Sequence, residues 1–188
     1  VSTQDTSLAE KIAIQRFHGI DRDAFNRFSK SGSQHYDVIA PGFKYNMMDL
    51  QAALGIHQLE ALEEIIQKRT ILAQRYYEQL RDWPEFTLPA IPTFSHRSTW
   101  YIFAPLINEE KAGMNRDDFI EAMKEHNIGI GLHYPAAHLY TYYQEKFGYR
   151  LGDFPSAESV GSRIMSLPLF AHMTFDEQDR VIDTMSAV

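Results

Sequence analysis

Apolar residues recur at helical spacing near the start of the chain, with Leu8 and Ile12 supported by Ala9, Ala13 and Ile14. The pattern predicts a short amphipathic helix over residues 7–17, closed by His18-Gly19, where glycine suits a helix C-terminus. From 20 to 40 the chain turns polar around Ser29-Lys30-Ser31-Gly32-Ser33-Gln34-His35 and reads as a long surface loop. Next comes a sustained apolar periodicity through Leu50, Ala53, Leu54, Leu59, Leu62, Ile65, Ile66, Leu72, Ala73, Tyr76, Tyr77 and Leu80, with Gly55 its one breaker and no proline until Pro84. It predicts one helix over 48–83. About 33 residues at 1.5 Å each span roughly 50 Å, too long for one small domain to cover, so this helix reads as a connector between two bodies.

Beyond Pro84 the pattern changes to short apolar runs and turn residues. Residues 99–107 read as a buried strand and 128–133 as a second, with glycines at 129 and 131 for close approach. Asn115 is placed to cap a helix running through Phe119, Ile120 and Met123. Further helices are expected over 140–147, 156–165 and 174–185, the last opened by Thr174 and Glu177 as a capping box. The order points to helices layered on a few antiparallel strands.

The most informative local stretch is residues 42–55, where extended chain turns into the long helix. Asn46 is a favoured N-cap, and Asp49 three residues later stands as a short variant of the capping-box acid. Period-two alternation would put Lys44 and Asn46 on one face and Phe43 and Tyr45 on the other. Two readings stand: an ordinary capped helix with a solvated lysine, or an anion site where a cation and an amide flank a helix N-terminus.

Composition narrows the class. The 188 residues suffice for a real core, and 44% hydrophobic with 23% charged residues is globular. A net charge of −7 argues against a surface that coats nucleic acid. The chain has no cysteine, hence no disulfide or thiolate site, which fits a reducing cytoplasm. No apolar run reaches the roughly 18–20 residues of a membrane span, and no signal segment opens the chain, so no membrane association and a cytoplasmic location are expected. The start, Val1-Ser2-Thr3 without Met, reads as a cut from something longer.

Eight histidines invite a metal search, but none falls in H-E-x-x-H, and His133 and His138 are separated across Pro135, so no metal site is expected. His133, at a strand end before Tyr134-Pro135, is either a ligand contact or satisfied structure. Nucleotide cradles of the Walker or G-x-G-x-x-G type are absent. Tyr140, Tyr142, Tyr143, Phe147 and Tyr149 read as an aromatic core stripe or a stacking surface.

With Gly42-Phe43-Lys44-Tyr45-Asn46, the long helix, Ile128-Gly-Ile-Gly-Leu-His-Tyr-Pro and Ser166-Leu-Pro-Leu-Phe170 in order, the chain resembles the DegT/StrS family of pyridoxal-phosphate-dependent sugar-nucleotide aminotransferases over nearly its whole length. Within that family it is most similar to the branch that makes 4-amino-4-deoxyarabinose on a UDP carrier, which shares the G-[YF]-K-Y-N wording and the G-L-H segment followed by Ala-Ala-His. The resemblance implies an α/β parent of the type I aminotransferase fold. Residues 1–47 would be the end of its large cofactor-binding domain, 48–83 the connecting helix, and 84–188 a small α+β C-terminal domain. It implies a homodimer with sites at the subunit interface, and pyridoxal phosphate as cofactor. The reaction would move an amino group, from glutamate, to a keto-sugar nucleotide, in lipopolysaccharide or polysaccharide biosynthesis.

The family's Schiff-base lysine is expected upstream of Val1, leaving no catalytic residue on this chain and the isolated chain inactive. Most members read G-Y-N-x-R where Lys44 and Asn46 stand here. The resemblance assigns Asn46 to the cofactor phosphate and Lys44 to the substrate diphosphate, with His133, Tyr134 and His138 lining the sugar-nucleotide site. The alternative is a non-catalytic sugar-nucleotide-binding, regulatory or dimerisation module derived from that family.

Overall fold

The computed structural model describes residues 2–21 and 36–188, so the centre of the polar loop, 29–35, lies outside the described residues. The chain divides into two compact units, Val1–Glu60 and Ala61–Val188.

In the first unit the helix Thr6–Gln15 is capped by Asp5, whose side chain accepts the Leu8 N–H at 3.0 Å. Gly19 then adopts a left-handed φ of 72° and donates its N–H to the Ile14 carbonyl. The chain returns alongside this end: Phe43 and Tyr45 donate to the carbonyls of Gln15 and Arg16, His18 donates to Phe43, and Ile39 to Gly19. Phe17 pairs with Lys44 and Ile20 with Val38, both antiparallel. This crossing requires two glycines, since a Cβ on Gly19 would overlap the Ala40 carbonyl and one on Gly42 would overlap the Gly19 backbone.

These hydrogen bonds also decide where the next helix starts. With the Tyr45 N–H committed to Arg16, the chain stays extended past Asn46, and the helix runs Asp49–Glu60. Asn46 therefore is not the N-cap that its residue type promises. Gln51 does the reaching back, its Oε1 accepting the Met48 N–H at 3.0 Å, so the amide half of a capping box is present with Gln51 in the role given above to Asp49.

Where the periodicity reads one helix, the structure has two, Asp49–Glu60 and Leu62–Leu80, parted at Ala61 rather than at Gly55. The two halves of the apolar stripe differ in use. Among the described residues Asp49–Glu60 buries nothing, with Leu50, Leu54 and Leu59 exposed, whereas Leu62–Leu80 buries Ile66, Leu72, Ala73, Tyr76 and Leu80.

Within the second unit, which also includes the helix Leu62–Leu80, the part beyond Pro84 forms a small α+β layer. Strands Phe86–Thr87 and Leu106–Ile107 pair antiparallel, Phe86 opposite Ile107. Isolated bridges extend the layer: Leu106 pairs with Ile164, Phe103 with Leu167, and Ser166 in turn with Gly131. The segment 164–167 thus lies between 103–106 and Gly131. The expected strands are reduced to these short contacts because prolines at 105 and 168 donate no N–H to a ladder. Against the layer pack the helices Leu62–Leu80, Arg116–Glu125 and Phe175–Ala187, whose Tyr76, Leu80, Phe119, Met123, Val181 and Met185 join Phe103, Ile107 and Met165 in one core. Asn115 accepts the Asp118 N–H, and Thr174 with Glu177 closes a full capping box, both as the sequence indicates. One polar residue sits fully inside: Gln178 donates to the Leu72 carbonyl at 2.8 Å, tying two helices together.

Candidate functional site

The sequence-predicted residues fall in both units, Lys44 and Asn46 in the first and His133, Tyr134 and His138 in the second. In the first, the extended segment after Gly42 sorts its side chains as alternation requires. The Phe43 and Tyr45 rings stack at 5.0 Å and 6° on one face. Lys44 lies on the other, its Nζ 4.4 Å above the Phe17 ring, and it forms no ion pair among the described residues. Asn46 Oδ1 is buried without a hydrogen-bond partner. The helix end itself adds little to an anion site, because Asp49 already places a carboxylate in the first turn. The donors left for an anion are the Lys44 ammonium and the Asn46 amide nitrogen, an arrangement suited to a phosphate or carboxylate.

In the second unit, Gly131 and Ser166 exchange backbone hydrogen bonds of 2.9 and 2.7 Å. His133 folds back over this pair, its Nδ1 2.9 Å from Ser166 Oγ. Glycine at 131 leaves room for the folded-back ring, since a Cβ would come 2.7 Å from His133 Cε1 and the imidazole would have to shift. The Tyr134 ring meets the imidazole edge-on at 5.0 Å, across a cis peptide bond, and is 70% exposed. His133 Nε2 and the Tyr134 hydroxyl make no hydrogen bond among the described residues, so both point chemistry outward from a half-buried base.

His138 is not brought to this pair. Its side chain is 7% exposed and its Nε2 lies 2.8 Å from Glu158 Oε1, with the Phe154 ring 4.8 Å away. Glu158 also accepts the N–H groups of Gly152 and Phe154. Burial pushes the Glu158 carboxyl up, but the Phe154 N–H, the His138 ring and the Gly152 N–H outweigh it, and the net direction is down. A carboxylate only accepts, so His138 Nε2 is the nitrogen that carries hydrogen.

Sequence reasoning passed over Ser166 as a histidine partner, and Glu158 and Gly161 altogether. A signal for Glu158 existed: Pro155 opens the helix Pro155–Arg163 with no side-chain cap, so an acid in its first turn is free to reach back to the N–H groups before it. Elsewhere, a groove beside Leu62–Leu80 is lined by Gln67, Thr70, Gln74, His96 and Trp100 and crossed by an exposed Arg97–Glu63 pair. Among the described residues no three His, Asp or Glu side chains converge to hold a metal, and no helix is long and apolar enough to cross a membrane.

Comparison with known proteins gives these features a setting. The spore coat polysaccharide biosynthesis protein SpsC of Bacillus subtilis is 40% identical over 186 residues, covering 98% of this chain and 48% of that protein. The UDP-4-amino-4-deoxy-L-arabinose–oxoglutarate aminotransferase of Shewanella sediminis is 37% identical over 191 residues, covering all of this chain and 49% of that protein. The chain spans about half the length of the curated relatives it matches. In structure it is similar to Helicobacter pylori PseC, an aminotransferase involved in the biosynthesis of pseudoaminic acid, with a TM-score of 0.84 over 98% of this chain and 47% of that one, at 24% identity. It is also similar to NtdA of Bacillus subtilis with bound cofactor PMP, with a TM-score of 0.73 over 99% of this chain and 40% of that one, at 27% identity. The fold is thus part of the type I architecture that the resemblance implies. The model of the DegT/DnrJ/EryC1/StrS aminotransferase family matches residues 1–186, and the chain belongs to that family.

Proposed function

We propose that this chain is the C-terminal portion of a pyridoxal-phosphate-dependent aminotransferase that moves an amino group from glutamate to a keto-sugar nucleotide. The observation that carries the reading is the family match across residues 1–186, joined by relatives named for polysaccharide biosynthesis and for a UDP-amino sugar. We also infer a cytoplasmic location and a homodimer, in which this portion of one subunit would contribute to the partner's site.

The residues present fit the phosphate of the cofactor: among the described residues the Asn46 side chain makes no hydrogen bond, its Oδ1 being buried without a partner, and no acid neutralises the Lys44 charge. Asn46 would hold the cofactor phosphate and Lys44 the diphosphate of the sugar nucleotide, where a point charge on a flexible stem adapts to two phosphates. When bound, pyridoxal phosphate supplies the electron sink for moving the amino group. The chain's own residues bind and orient. His133, its Nδ1 held on Ser166 Oγ, has Nε2 left to donate to or accept from a sugar hydroxyl, and Tyr134 has a free hydroxyl beside it. His138 completes this segment from inside, through Glu158.

The test uses the full-length protein that carries this chain, loaded with pyridoxal phosphate. Adding UDP-4-amino-4-deoxy-L-arabinose should convert the absorbance of the bound cofactor to that of pyridoxamine phosphate, and 2-oxoglutarate should restore it. No conversion with this or any other nucleotide-linked amino sugar would overturn the reading.

A further inference from the structure

The segment 133–138 has little regular structure of its own: one 3-10 turn, Ala137–Leu139, and a two-residue exchange of hydrogen bonds at Gly131. A segment that presents His133 and Tyr134 to a ligand must nevertheless be held in place, because a displacement near 1 Å costs binding and rate. Two anchors to the helix Pro155–Arg163 do this. At the first, Glu158 Oε1 takes His138 Nε2 at 2.8 Å, Gly152 N at 2.9 Å and Phe154 N at 3.1 Å, while Oε2 takes Gly152 N at 3.0 Å. One carboxylate thereby joins the segment, the loop before the helix and the helix itself.

At the second anchor, Gly161 lies so near the segment that a Cβ would sit 2.5 Å from Ala136 N. The Gly161 carbonyl is in turn gripped by the buried Arg116, whose Nη1 donates to it at 2.5 Å. Neither anchor reaches outward: His138 and Arg116 are buried and their partners are accounted for within the fold.

We propose that Glu158 is a positioning residue for sugar-nucleotide binding, acting through His138 and together with the Gly161 contact to fix residues 133–138 so that His133 and Tyr134 meet the ligand in one place. The proposal rests on the reading of His133 and Tyr134 as ligand-facing. Its chemistry is specific to a carboxylate. Three donors converge on Glu158, and an amide in its place would turn an NH2 group toward one of them.

The test compares wild type with Glu158→Gln in the full-length protein, using UDP-4-amino-4-deoxy-L-arabinose and 2-oxoglutarate as substrates and hydrogen exchange as a second readout. Glu158→Gln should raise the KM for the amino-sugar nucleotide about tenfold and leave the KM for 2-oxoglutarate unchanged, while the Leu139 and Tyr140 amides exchange about tenfold faster and the Arg116–Glu125 helix keeps its wild-type protection. Gly161→Ala attacks the same segment from the other anchor and should reproduce the pattern, which keeps the test open if the first variant folds poorly. Unchanged exchange in both variants overturns the anchoring, and faster exchange with an unchanged sugar-nucleotide KM overturns the positioning role. A wild-type protein that transfers no amino group, while Glu158→Gln still loosens Leu139 and Tyr140, overturns the functional reading and supports the anchoring.

Discussion

Asn46 carries a carbonyl oxygen that the fold buries and leaves without a partner, two positions ahead of the residue that caps the helix. Asn46→Ala should therefore leave urea stability unchanged or slightly raised, where loss of a true N-cap would cost about 1 kcal/mol. If its amide nitrogen serves the cofactor phosphate, the same variant should weaken cofactor binding in the full-length protein by about 1.5–3 kcal/mol, read by titration with pyridoxal phosphate. Glu158 makes a second residue-scale prediction. Its folded-state carboxyl titrates below the ordinary glutamate value, so its contribution is complete above the ordinary range and is lost as pH falls through the lowered folded-state value. Wild type should exceed Glu158→Gln in urea midpoint at pH 7, and the gap should narrow as pH falls below the ordinary glutamate range. Lys44 and His133 were legible as candidates from residue type and place alone. Glu158 was not, because its partners, His138 and Gly152, meet it only after the 155–163 helix has folded against the 133–138 segment.

At the scale of elements, local signals that complete themselves within four residues were the readable ones. Asn115 with Asp118, and Thr174 with Glu177, close where the sequence places them. Thr174→Ala should cost about 1 kcal/mol, measured by thermal or urea unfolding of the full-length protein, since the Glu177 N–H loses its acceptor. The Asn46 start failed for the opposite reason. Its competitor was a set of backbone hydrogen bonds to residues 15–18, some 27 positions away in the chain and invisible to local propensity. The helix parted at Ala61 teaches a related point. Periodicity reports that a stripe is apolar, and it cannot report that Leu50, Leu54 and Leu59 stay exposed while Leu72 and Leu80 enter a core. Gln178 inverts the error: a polar residue on the inner face of its helix earns burial only because the Leu72 carbonyl is there to receive it.

At the scale of the whole molecule, the α+β layer after Pro84 was legible as a class, while its strands were too broken by proline to be drawn from pattern alone. Each unit leaves polar groups unused among the described residues: a lysine without an acid beside an amide whose oxygen has no partner, and, on a firmly anchored segment, a histidine–tyrosine pair whose Nε2 and hydroxyl make no hydrogen bond. The chain belongs to the DegT/DnrJ/EryC1/StrS aminotransferase family, and under the proposed function these groups would handle a phosphorylated cofactor and a nucleotide-linked sugar. The most direct test is transfer of the nitrogen itself. The full-length protein, given pyridoxal phosphate, nitrogen-15 glutamate and the UDP-linked 4-keto pentose, should place the label on the sugar, and Lys44→Met should raise the sugar-nucleotide KM about tenfold without preventing cofactor loading. A sugar that stays unlabelled with every keto-sugar nucleotide supplied would contradict the account.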